Sequence, residues 1–135
     1  MAKIEGGCLC GQVRYSSEAE PFAQAVCHCK NCQKQGATPF SVVLGLPEPA
    51  VTVTGTLKTY EDTGDSGGTV YRRFCPECGS PILSQPAGMP GVVFLKAGTL
   101  DDTAWLDPKV HVWIKSKQDW VVTPEGVMTF ETVPG

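Results

Sequence analysis

The chain has 135 residues, 41% hydrophobic and 19% charged, which fits an ordinary folded domain and excludes a disordered one. Its formal charge of −3 disfavours nucleic acid as the main partner, because lysines and arginines drive that binding by displacing phosphate counterions. No apolar run approaches the roughly 20 residues that span a bilayer, and the opening MAKIEGG lacks the basic and apolar regions of a secretory signal.

These features predict a single domain over 1–135, cytoplasmic, with neither a membrane nor a nucleic-acid partner. In chain order, QVRYSS (12–17) and QAVCHC (24–29) read as short strands, followed by a helical turn through KNCQKQ (30–35). FSVVLGL (40–46), AVTVTG (50–55) and LKTYED (57–62) continue the strand pattern. The turn-rich TGDSGG separates them from TVYRRF (69–74), SPILSQ (80–85) and GVVFLKAG (91–98). A second helical turn is expected near LDDTAW (100–105), capped by Asp101 or Asp102, before strands in KVHVWIKS (109–116) and DWVV (119–122). Short β-branched runs bounded by Gly, Pro, Asn and Asp are strand signals. Eleven prolines and fifteen glycines leave little room for long helices. The expected fold is mainly β, without repeat or linker.

Seven cysteines in a chain expected to meet a reducing compartment point to metal ligands or catalytic thiols, not disulfides. They fall into CLC (Cys8, Cys10), CHCKNC (Cys27, Cys29, Cys32) and CPEC (Cys75, Cys78). In extended chain, residues i and i+2 face the same side. Cys8 and Cys10 can therefore share an ion while Leu9 turns away, and Cys27 and Cys29 can do so while His28 turns away. CPECG has the chemistry of a tight knuckle: Pro76 presets φ and Gly79 permits a left-handed turn. Two C-x-C pairs and two C-x-x-C steps predict zinc, although a four-thiolate cage also suits iron.

CLC with CPEC supplies four thiolates, a closed structural site, which leaves CHCKNC with three. Spacing leaves open swapped pairings, and His28 or His111 as a ligand. Three thiolates with a divalent ion carry about one net negative charge, a poor setting for making hydroxide. Such a soft, open site suits a fourth sulfur ligand, and a thiol bound there loses its proton while staying nucleophilic. It can then add to a small carbonyl compound, or release one in reverse. With one fewer protein ligand, this second site is expected to lose its metal more readily.

GGCLCGQVRY, CHCKNCQKQG, RRFCPECGSPI, AGTLDD and HVWIKSKQDW, in that order and across nearly the whole length, resemble the glutathione-dependent formaldehyde-activating enzyme family. Its domain also occurs in centromere-protein-V relatives. The resemblance implies a β-tent fold of short antiparallel sheets with zinc knuckles and two zinc ions. It implies a structural zinc on Cys8, Cys10, Cys75 and Cys78, and a second, catalytic zinc on Cys27, Cys29 and Cys32. The implied activity is that of a carbon–sulfur lyase, joining formaldehyde to glutathione as S-(hydroxymethyl)glutathione or reversing that step. The competing expectation is a non-catalytic β-tent module for protein binding. Methionine sulfoxide reduction fits poorly, because no cysteine follows Cys78 to serve as a free catalytic thiol.

Other residues carry weaker expectations. Arg72, Arg73, Lys30 and Lys34 either offset thiolate charge, remain solvated or bind substrate carboxylates. Asp101 and Asp102 suit a cap or turn, with proton transfer as the alternative. Trp105, Trp113 and Trp120 read as core or rim aromatics. His28 reads as a packed or hydrogen-bonded histidine, and His111, which alternates within an apolar strand, as structural.

Overall fold

The computed structural model describes residues 3–133. In chain order its strands are β1 (Ile4–Gly7), β2 (Arg14–Ser17), β3 (Ala23–Cys27), β4 (Ser41–Pro47), β5 (Val51–Thr54), β6 (Lys58–Thr63), β7 (Thr69–Phe74), β8 (Pro81–Pro86), β9 (Val92–Lys96), β10 (Val110–Val112) and β11 (Met128–Thr129). One α-helix, α1 (Lys30–Gly36), and 3-10 turns at Glu48–Ala50, Ala97–Thr99 and Ile114–Ser116 complete the regular structure among the described residues. The fold is mainly β, as expected from the proline and glycine content.

Strands β1, β2 and β5 make a small antiparallel sheet in the order β1-β2-β5. The other eight form one sheet in the order β11-β10-β3-β4-β9-β8-β7-β6. Pairing there is antiparallel from β3 to β6, whereas β10 runs parallel to both β3 and β11, so the sheet is mixed at this edge. Alternation explains the outer strands: in β5 the valines are half-buried and the threonines exposed. β4 reads SVVLGLP and buries both faces over much of its length, which fits its central position.

The main core lies between the small sheet and the middle of the large one. Ile4, Val13 and Tyr15 meet Leu44, Leu46, Ile82, Leu83, Val93, Leu95 and Leu100. A smaller cluster of Cys29, Cys32 and Trp113, flanked by Cys27 and Val112, sits at the other end of β3 and β10. The site residues are thus spread over two places, each anchored on sheet ends.

Several expected elements differ. LDDTAW forms no helix; the 3-10 turn precedes it, and Asp102 instead accepts a hydrogen bond from the Ala104 N–H, closing a local turn. Asp101 leaves the backbone to pair with Arg14. KVHVWIKS is a strand only over Val110–Val112, because Trp113 turns left-handed at φ 58°. DWVV is not a strand, while β1 and β11 are strands that the pattern did not mark.

Candidate metal centres

The first cluster joins two turns. Cys8 follows β1, and Cys10 lies two residues on, in a turn closed by the Gly11 N–H donating to the Cys8 carbonyl at 3.2 Å. The pair therefore sits on a turn, not in extended chain, although Leu9 does point away and is 89% exposed. Opposite, the Gly79 N–H donates to the Cys75 carbonyl at 2.9 Å, closing the CPEC knuckle. Gly11 and Gly79 adopt φ of +83° and +79°, a left-handed conformation that favours glycine at both turns.

These turns bring the sulfurs of Cys8, Cys10, Cys75 and Cys78 within 4.8 Å of one another. Cys8 and Cys10 Sγ are 3.6 Å apart, and Cys10 and Cys75 Sγ 3.8 Å. Disulfide sulfurs lie about 2.05 Å apart. Four sulfurs at about 2.3 Å from a tetrahedral centre would be about 3.8 Å apart. The donor set and spacing therefore fit a four-thiolate zinc cage. Polar donors steady the anionic form: the Val13 N–H lies 3.2 Å from Cys8 Sγ, and Ser80 Oγ 3.3 Å from Cys78 Sγ. The Ser80 hydroxyl, followed by its backbone N–H, holds the Cys78 thiol down at about 5. Ser80 Oγ also accepts from the Leu9 N–H at 3.0 Å, tying the two turns together.

The second cluster is local in sequence. Cys27 ends β3, and Cys29 has extended backbone (φ −62°, ψ 147°) as the N-cap of α1. Its sulfur accepts the Cys32 N–H at 3.3 Å. The three sulfurs lie within 4.8 Å of one another, with no fourth His, Cys, Asp or Glu in the group among the described residues. Cys29 and Cys32 are buried against Trp113, whereas Cys27 is half-buried. Hydrogen bonds from Cys27 and Cys29, helped by the Lys96 and Arg72 cations, push the Cys32 thiol strongly down. Cys27 is pushed up, because its bonds to Cys29 and Cys32 favour its protonated form. The donor set suits a soft divalent ion with one coordination position left over.

Buried cations adjoin this cluster. Arg72, 4% exposed, places Nη1 3.8 Å from Cys32 Sγ and donates through Nε to Asp62 Oδ2 at 2.8 Å. Asn31 Nδ2 holds the same carboxylate oxygen at 2.9 Å. Lys96, 8% exposed, donates to Ser41 Oγ at 3.1 Å, and Ser41 is the β4 partner of Cys27. Burial lowers the Lys96 pKa, against the pull of Cys32 and with the help of the like charge of Arg72.

Arg73 points elsewhere, to Thr59 Oγ1 at 3.3 Å, while Lys30 and Lys34 are exposed. His28 turns away from its neighbouring cysteines, as alternation predicts. Its Nε2 is 3.0 Å from His111 Nδ1, and the rings stack at 5.3 Å. Trp113 packs on the three-cysteine cluster, Trp105 borders the main core, and Trp120 is exposed. Sequence reasoning missed Lys96, Asp62 and Asn31. A lysine ending the apolar run VVFL was the available signal for Lys96; Asp62 and Asn31 carried none, since their meeting depends on sheet order.

A mainly β fold carrying two cysteine clusters able to hold metal ions defines the broad class of this protein. The chain belongs to the glutathione-dependent formaldehyde-activating enzyme family, whose model matches residues 3–116. Three relatives bear the name "Putative glutathione-dependent formaldehyde-activating enzyme". The one from Halomonas elongata is 29% identical over 87% of this chain and 79% of its own length. That from Colletotrichum graminicola is 27% identical over 74% of this chain and 53% of its own length. The Talaromyces marneffei relative is 24% identical, over 93% of this chain and 68% of its own. A crystal structure of a Rhodobacter sphaeroides protein shares the fold, with a TM-score of 0.60 at 18% identity, covering 93% of this chain and 98% of that one. No helix among the described residues is long and apolar enough to cross a membrane.

Proposed function

We propose that this protein is a zinc-dependent carbon–sulfur lyase that makes or cleaves S-hydroxymethyl adducts of a small thiol such as glutathione. Membership of the family supports the formaldehyde and thiol chemistry. The observation that carries the site assignment is the convergence of Cys27, Cys29 and Cys32 without a fourth protein ligand among the described residues. Cys8, Cys10, Cys75 and Cys78 would hold a structural zinc, and the three-cysteine centre a second one.

When bound at the second centre, zinc supplies a Lewis acid that keeps a coordinating substrate thiol ionised near neutral pH. The chain's own residues do the rest. Cys29, fixed as the helix cap, and Cys32, one turn on, present their sulfurs from the interior side. Cys27 is the half-buried member and marks the accessible side. Trp113 and Val112 cover the cluster with apolar surface and limit water there. In the forward direction a carbon–sulfur bond forms, the carbonyl π bond breaks, and the thiol proton ends on the former carbonyl oxygen. No redox partner is needed.

NMR exchange between glutathione, formaldehyde and their adduct tests this reading. The zinc-loaded protein should accelerate exchange, and Cys32→Ser should abolish the acceleration while one zinc per chain and the fold persist. Unchanged turnover in Cys32→Ser would reject the assignment. The burial of Cys29 and Cys32, at 6% and 8% exposure, favours a second reading, a non-catalytic zinc module for protein binding. That reading expects no exchange in the two-zinc protein.

A further inference from the structure

Lys96 is a cation buried with no carboxylate at ion-pair distance among the described residues; its one hydrogen-bond partner is the neutral hydroxyl of Ser41. A lone buried ammonium is costly unless an anion answers it. The anions nearby are the thiolates, which carry the chief attraction on Lys96. Arg72 is buried on the same cluster, but its Nε is already paired with Asp62. Three thiolates with a divalent ion leave one net negative charge. Asp62 adds a second, and Arg72 with Lys96 cancels both. With a divalent ion bound, the resting centre would therefore be neutral as a whole, and without Lys96 it would be anionic before any ligand arrived.

From this arrangement we infer that Lys96, with Arg72, is a specificity-determining pair that makes the open position of the three-cysteine centre accept an anionic ligand, a thiolate in preference to a neutral donor. The inference rests on the reading of that centre as an open metal site. Neither cation touches the reacting atoms; each acts through the field at the cluster. Asn31, Asp62 and Ser41 are the positioning groups that keep the two cations in place. An incoming thiolate takes the local charge only to minus one, whereas with one cation lost it would take it to minus two.

The test loads the full chain with cobalt in place of zinc and titrates it with 2-mercaptoethanol, azide and imidazole, read by the visible ligand-field bands. Cobalt in a closed four-thiolate cage should not respond, so the change reports the open centre. In Lys96→Met, affinity for the thiolate and azide should fall at least tenfold while imidazole changes less than twofold, and Lys96→Arg should restore the anion affinity. Arg72→Gln repeats the comparison should Lys96→Met fail to fold. Equal anion affinity in Lys96→Met and the wild type, or equal loss of anions and imidazole, overturns the inference, as does a wild-type spectrum that no ligand shifts. If anion selectivity holds but formaldehyde exchange is absent, the lyase reading fails while the charge assignment stands.

Discussion

Cys75 is fully buried and Cys10 is exposed, yet both belong to the same cluster, so removing different members should have different costs. Cys75→Ser should release one zinc and lower the melting temperature far more than Cys32→Ser, because structural zinc contributes about 10–16 kcal/mol of apparent binding energy in small domains. Thermal melts of the two variants beside zinc analysis check this. Tyr15 offers a separate test away from both clusters. It is buried, 2.7 Å from Thr99 Oγ1, and burial pushes its pKa up to about 12. The unfolded chain ionises this group first, near its ordinary value of about 10. Its contribution is therefore complete below pH 10 and lost as pH rises toward 12. Tyr15→Phe should remove that part of the alkaline decline in melting temperature. In the main core, Leu95→Ala should cost about 2–5 kcal/mol by chemical denaturation, since Leu95 is fully buried between the sheets. At this scale the seven cysteines were legible because their spacing carries their chemistry. Lys96 was not, because a lysine in an apolar run becomes informative only once its strand partner, and Ser41 beside Cys27, are known.

At the scale of elements, α1 is the most dependent part of the fold. Its seven residues are too few to be helical alone, for which about 12–15 are needed. Side chains hold it instead. Cys29 caps it, Asn31 reaches Asp62 and Thr63, and Gln33 donates to the carbonyls of His28 at 2.7 Å and Ser116 at 3.0 Å. Gln33→Ala should destabilise the chain by about 1–3 kcal/mol, through buried carbonyls left without a donor. Amide hydrogen exchange should show faster opening over α1 than over β4. This helix was legible from KNCQKQ beside a cysteine able to cap, whereas LDDTAW misled because its aspartates serve Arg14 and a local turn. β1 was missed because Gly6 and Gly7 dilute its pattern, and β11 because two residues give no period to read. Trp113 ended the expected long strand through a left-handed backbone that apolar alternation does not reveal.

For the whole molecule, sheet order decides which distant residues meet. β10 runs parallel beside β3 and brings His111 to His28, while β7, four places from β3 in the sheet, brings Arg72 over the cysteines. Such order is set by packing and not by local pattern, so the cluster and the charge of Arg72 beside it were foreseeable, whereas Lys96 and Asp62 were not. On the proposed assignment the two centres are unequal: one closed and structural, one open and chemical. A chelator should accordingly remove the second metal first, with the fold retained, and the first only on unfolding. Native mass spectrometry of the zinc-loaded chain is the most direct test of that division. Two zinc ions are predicted for the wild type, one for Cys32→Ser, and a glutathione adduct only where the second zinc is present. Two zinc ions in Cys32→Ser, or glutathione bound equally well without the second zinc, would contradict it.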